Sequence, residues 1–160
     1  MLTPAASSDF NFFYSLYMHP QVNPYLLYEM MEQESFKPIF KDLLQQKIIF
    51  KYVAEGQPVG MCKLIQLKHR NSHILYVGGL AIDPDHAGKK YGFKMLKDVI
   101  DYAKEQNILR IELSVSVENL IAINLYKKIG FQEEGVLQKF TYLKSKDRFI
   151  DETLMSYIMV

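Results

Sequence analysis

A single cysteine, Cys62, in 160 residues leaves no internal disulfide to be made, so a core must hold the fold, and a reducing compartment suits it. Glycine and proline are scarce as well, eight and six, which excludes collagen-like and disordered low-complexity architectures. Neither sign of charge dominates. Nineteen Lys and Arg against eighteen Asp and Glu leave +1, where a nucleic-acid binder would show a clustered basic excess. No uncharged apolar run approaches the roughly 20 residues of a membrane span. The opening Met1-Leu2-Thr3-Pro4-Ala5-Ala6 lacks both the basic start and the apolar stretch of a signal peptide. His19, His69, His73 and His86 show no metal-ligand spacing and have no cysteine partners, so no metal is expected. These absences predict a soluble, cytoplasmic protein with neither nucleic acid nor membrane as partner.

What is present is apolar content, 49% of residues against 23% charged. A chain of this length buries about 68–70% of its unfolded surface, enough for one core, and the expectation is a single domain over residues 1–160. Ser7-Ser8-Asp9 supplies N-cap oxygens before Phe10, Phe13, Tyr14 and Tyr17, one helical stripe ending near His19-Pro20. Asn23-Pro24 reads as the cap and first position of a second helix burying Leu26, Leu27, Met30 and Met31. Pro38 is expected to end or kink it, with Ile39, Phe40, Leu43 and Leu44 in a further helical stretch. Met1-Leu2-Thr3 leaves little room for a strand ahead of the first helix.

From Ile48 the period becomes that of strands. Ile48–Val53 and Val59–Leu67 flank the turn signal Glu55-Gly56-Gln57-Pro58, a hairpin, and His73–Ile82 is a third strand interrupted by Gly78-Gly79, where a bulge is expected. A glycine-bearing loop, Asp83–Gly92, precedes a helix whose face is Met95, Leu96, Val99, Ile100 and Ala103. Asn107 suits its left-handed close, and Ile111, Leu113 and Val115 alternate with Arg110, Glu112 and Ser114 as a strand. Asn119 opens a helix that Gly130 closes. Strands over Gln132–Tyr142 and Arg148–Met159 finish the chain around the turn Lys144–Asp147. The order implies an α+β or mixed α/β domain around one sheet.

Two segments carry candidate chemistry. Between strand and helix, Gly88 and Gly92 allow close backbone approach, Lys89 and Lys90 add charge, and a helix N-terminus offers unpaired N–H groups to a phosphate. The plain alternative is a glycine-containing connection with two solvated lysines. No Walker or dinucleotide-fingerprint spacing is present. The second segment, Asn119–Phe131, is by itself a capped amphipathic helix in which Tyr126 is a packing residue. Cys62, beside Met61 and Leu64, reads as core.

Together the two segments resemble the GNAT superfamily of acetyl-CoA-dependent N-acetyltransferases. The pattern N-x-x-A-x-x-L-Y-x-x-x-G-F is met by Asn119, Ala122, Leu125, Tyr126, Gly130 and Phe131. The family's Q/R-x-x-G-x-G/A loop aligns with Ala87-Gly88-Lys89-Lys90-Tyr91-Gly92, where Ala87 replaces the polar first residue and Lys90 the middle glycine. The likeness spans roughly residues 48–158, including the tail Phe131, Glu134-Gly135, Ile150-Asp151-Glu152 and Met155. It implies an acyltransferase fold with one mixed, mostly antiparallel sheet of about six or seven strands flanked by helices. It also implies transfer of acetyl from acetyl-CoA, as co-substrate, to a primary amine by direct attack in a ternary complex. By the same likeness Leu80, Ala81 and Ile82 would pair with the pantetheine arm, and Ala87, Gly88, Lys89, Lys90, Tyr91 and Gly92 would hold the pyrophosphate. Asn119 would bond the arm or a neighbouring strand, and Tyr126 would face the sulfur and protonate it. The strand glutamate that many members use as base is absent from His73–Gly79. Glu112 on the next strand is therefore the candidate base, with Tyr76, His73 or a water chain as alternatives. The aromatic N-terminal region would shape the acceptor site, and a homodimer is plausible for such a family. The alternative function is an acyl-CoA-binding or cofactor-less sensor or scaffold of the same fold. The acceptor stays open among polyamine, amino acid, aminoglycoside and protein N-terminus.

Overall fold

A computed structural model describes all of residues 1–160. Alternating apolar positions build one sheet of seven strands. They are β1 (Leu2–Pro4), β2 (Ile49–Ala54), β3 (Gln57–Gln66), β4 (Ile74–Ile82), β5 (Arg110–Ser116), β6 (Gln132–Leu143) and β7 (Arg148–Ile158). The spatial order is β1-β2-β3-β4-β5-β7-β6. Every pairing is antiparallel except β4–β5, which is parallel and joined by the crossover helix α3 (Tyr91–Glu105).

The two-residue period of β3 decides which helices cover which face. Cys62 and Leu64 turn to one side and pack with Leu96, Val99 and Ile100 of α3 and with Ile123 and Tyr126 of α4 (Leu120–Ile129). Met61 turns to the other side and packs with Phe13 and Tyr17 of α1 (Phe10–Tyr17) and Phe36 and Phe40 of α2 (Gln33–Gln45). Helices therefore cover both faces, as expected of the mixed class.

Three expectations for the N-terminal third are corrected. Leu2–Pro4 does form a strand, with Leu2 opposite Tyr52, because three residues suffice to pair the free edge of β2; Asp98 Oδ2 also accepts the Leu2 N–H at 3.1 Å. The helix expected from Asn23 is only a 3₁₀ turn, Asn23–Tyr25, followed by irregular chain, and Leu27 and Met30 are 70% and 55% exposed. The reason is Asn23 itself. Its buried amide donates to the carbonyls of Tyr17 (2.8 Å) and Tyr28 (2.9 Å), spending on a loop the polar groups a helix would use. Pro38 neither ends nor begins a helix but sits inside α2. It removes one intrahelical N–H, a loss offset by the burial of Phe36, Phe40 and Leu43 on both sides of it.

Other local readings hold. Asn107 and Gly130 are left-handed at φ +56° and +119°, closing α3's turn and α4. The β3–β4 register shifts between Met61 and Lys63, opposite Gly79 with φ +54°, which is the expected bulge. No helix is long and apolar enough to cross a membrane. Replacing Asn23 by alanine strands two carbonyls and should cost about 2 kcal/mol. At about 2–4 °C per kcal/mol for a chain of this size, a thermal melt should fall by roughly 4–8 °C. A shift within error would show that apolar packing alone holds the segment.

Candidate active site

The parallel pairing of β4 with β5 is short. It runs Ile74–Arg110, Leu75–Ile111 and Tyr76–Glu112 and then stops, although β4 continues along β3 to Ile82 and β5 continues along β7 to Ser116. The two strands diverge, leaving the β5-facing edge of β4 without a protein partner. A cleft of about 480 Å³ occupies the gap, within the usual range for small-molecule sites.

The cleft brings together much of the set marked from the sequence. Leu80, Ala81, Ile82, Ala87, Gly92, Asn119 and Tyr126 all line it. Gly92 is glycine for space: a Cβ there would lie 3.1 Å from Leu125 Cδ2. Gly88, Lys89, Lys90 and Tyr91 lie outside the lining, in the adjoining loop and the first turn of α3. That turn has no side-chain cap, so its amides are free to take an anion. Gly88 and Lys90 are both left-handed, at φ +79° and +60°. A lysine held there costs of order 1 kcal/mol, which is the physical reason the related pattern has glycine at this position. Asn119 caps α4, its Oδ1 accepting the Ala122 N–H at 3.3 Å, while still facing the cleft.

Tyr126 comes from the α3/α4 side and is 6% exposed at the gap. Burial first, then the neighbouring Tyr76 and Cys62, push its phenol well above the ordinary range, so it stays protonated and able to donate. Tyr76, one of the alternatives for the base, also lines the cleft, its hydroxyl 3.0 Å from Ser114 Oγ. His73 does not reach it.

Glu112 is not brought to the site. It lies outside the cleft lining, at the paired end of β5, and accepts from Arg110 Nε at 2.9 Å. The same guanidinium grips Glu134 through both terminal nitrogens, at 2.8 and 2.7 Å. Two residues to which the sequence reading gave no site role, Glu152 of the family-like tail and Lys63, stand in the cleft instead. Glu152, opposite Ser116 on β5, is its only carboxylate, with one oxygen accepting from Thr141 Oγ1 at 2.9 Å. Lys63, opposite Gly78 on β4, is its only ammonium. Lys63 is 7% exposed and takes no part in the eight ion pairs of the chain; nor do Lys89 and Lys90. Its nitrogen stands 5.2 Å from the Tyr28 ring centre, and desolvation lowers its pKa. The ammonium opens into the cleft with no hydrogen-bond or ion-pair partner in the protein, the Tyr28 ring being its one favourable neighbour. The one signal in the sequence was a lysine inside the apolar run Val59–Ile65.

The model of the acetyltransferase (GNAT) family matches residues 10–131, three quarters of the chain. The chain belongs to the acetyltransferase (GNAT) family. An uncharacterised N-acetyltransferase of Methanocaldococcus jannaschii is 32% identical over 105 residues, which cover 62% of this chain and 46% of the relative. Spermidine N(1)-acetyltransferase of Vibrio cholerae is 27% identical over 126 residues, 77% of this chain and 69% of the relative. The chain thus spans about half to two thirds of these relatives. The crystal structure of the Vibrio cholerae spermidine N-acetyltransferase with CoA and spermine superposes with a TM-score of 0.85 at 23% identity, over 99% of this chain and 94% of that one.

The Arg110 network makes a pH prediction. Arg110 first, then Ser156, holds the Glu134 carboxyl down at about 2. A carboxyl lowered by folding contributes stability above its ordinary range near 4.3, and that contribution is lost as pH falls toward 2. The melting-temperature gap between wild type and Glu134→Gln should therefore be present at neutral pH and shrink through this window. A gap independent of pH would show that the contact is not ionic in effect.

Proposed function

We propose that this protein transfers the acetyl group of acetyl-CoA to a primary amine by direct attack, with both reactants held in the β4/β5 gap. The observation that carries this reading is the early end of the β4–β5 pairing, which exposes β4 backbone beside Tyr126. The residues fit the co-substrate. Leu80 to Ile82 offer unpaired main-chain groups to an amide-bearing arm, and the uncapped turn of α3 with Lys89 and Lys90 offers donors and charge to a pyrophosphate. Acetyl-CoA supplies an activated thioester.

The chain's own groups then have defined tasks. A lysine-like amine has a pKa near 10.4, so it must lose a proton before attack. Glu152, the one carboxylate in the cleft, takes that proton directly or through water. A β4 backbone N–H stabilises the oxygen that gains charge; losing one such donor elsewhere costs about 10²–10³ in rate. Tyr126 donates to the leaving sulfur. Because a thiol titrates near 8.5, below the tyrosine phenol that burial pushes higher still, complete transfer from Tyr126 is uphill, and its main effect is a hydrogen bond to the developing thiolate. Alignment of the two reactants supplies much of the remaining acceleration.

Two measurements test this. With about 1 mM acetyl-CoA and a dissociation constant near 10 μM, binding adds about 2.7 kcal/mol, a rise of roughly 5–10 °C in the melt that adenosine does not reproduce. Tyr126→Phe should then lower kcat about 10²-fold while keeping that rise, and Glu152→Gln should lower kcat/KM by a similar factor. A melt that rises without any thiol release across an amine panel would make the protein an acyl-CoA holder rather than a transferase.

A further inference from the structure

The cleft is not electrically uniform. The pairing registers Lys63–Gly78, Tyr76–Glu112 and Ser116–Glu152 put Lys63, Tyr76, Ser114, Ser116 and Glu152 on one face of the sheet, the face covered by α1 and α2. Lys63 on β3 and Glu152 on β7 stand at opposite ends of this row, with β4, the gap and β5 between them, and do not pair. The methylenes of Lys63 pack over the glycine bulge, its Cε lying 3.5 and 3.4 Å from where Cβ atoms on Gly78 and Gly79 would be. That end is lined mainly by apolar and aromatic groups, Val22, Tyr25, Leu26 and the Tyr28 ring, with Gln21 and the Tyr17 hydroxyl at the bulge as its polar members.

We propose that Lys63 reads a carboxylate on the acceptor, so that the amine acetylated is that of an amino acid with an apolar or aromatic side chain. This rests on the transferase reading above. The amine stands at the gap beside Tyr126, the carboxylate turns toward β3 and completes the unpaired ammonium, and the side chain lies against Val22, Leu26 and Tyr28. The same ammonium repels a polyamine and leaves a peptide N-terminus, whose next group is a neutral amide, without the charge it is placed to meet. Lys63 is a specificity residue in this scheme.

The test uses shape-matched acceptors that differ in charge: L-phenylalanine and L-phenylalaninamide, L-methionine and L-methioninamide, with spermidine alongside. Acetyl-CoA and thiol release are used with the wild-type chain and with Lys63→Met. The acids should be preferred to their amides in kcat/KM. The substitution should shrink that preference by about 10–100-fold, the effect of removing one charged hydrogen-bond partner. The ratio between variant and wild type cancels the different amine pKa values. The acetyl-CoA melting shift should persist in Lys63→Met, which separates a lost contact from a lost fold. Preference for the amides or for spermidine in the wild type overturns the acceptor assignment and leaves the transferase reading standing. An equal fall for acid and amide also overturns it. No transfer to any of the five, with the melting shift retained, overturns this inference; the transferase reading falls only if thiol release is also absent with aminoglycoside and peptide amines.

Discussion

Two strands that begin as neighbours and then part impose the constraint on which this protein's site depends. Once the β4–β5 pairing stops at Tyr76–Glu112, the remaining β5-facing backbone groups of β4 line the cleft and are open to a partner other than the protein. A ligand of extended, amide-like character can supply one. The divergence is held from both sides. β3 keeps β4 in place through the glycine bulge, β7 keeps β5 in place through Ser116, and α4 brings Tyr126 to the opening between them.

The same face of the sheet handles charge in two contrasting ways. At the closed end Arg110 holds Glu112 and Glu134 together, so both carboxylates are engaged with one guanidinium rather than turned to a ligand. At the open end Lys63 and Glu152 stand too far apart to pair, each turned into the cleft. Pairing at one end stiffens the region where β5, β6 and β7 meet, and lack of pairing at the other leaves charges available. A few residues along β5, from Glu112 to Ser116, separate the structural network from the reactive one.

Much of the fold was legible because its signals are local. Alternation at Arg110–Val115, the helical stripe Met95–Ala103 and the left-handed stops at Asn107 and Gly130 depend on neighbours within one turn or one strand. Residues 23–32 were misread because Asn23 acts across five and six residues to tie down carbonyls of a loop, and no periodicity encodes that. Pro38 does not end a helix because burial of Phe36 and Phe40 on either side of it offsets one missing hydrogen bond. Met1–Thr3 was misread because a strand of three residues is defined by the edge it meets, not by its own composition.

The residue types and spacing of Asn119–Phe131 and of the Gly88–Gly92 loop lie within single elements, so the amino-acid sequence by itself determined the family, the uncapped helix start and the presence of Tyr126 at a helix face. Which polar groups share the cleft was decided only by tertiary structure. Lys63, Tyr76, Ser114 and Glu152 come from four different strands, and their meeting depends on strand order and register. Glu112 shows the converse. It occupies the same strand and the same face as Ser114, yet a position two residues earlier places it where the strands are still paired and an arginine is within reach. Register is a property of pairs of strands, and a charge in one strand carries no mark of the partner it will face.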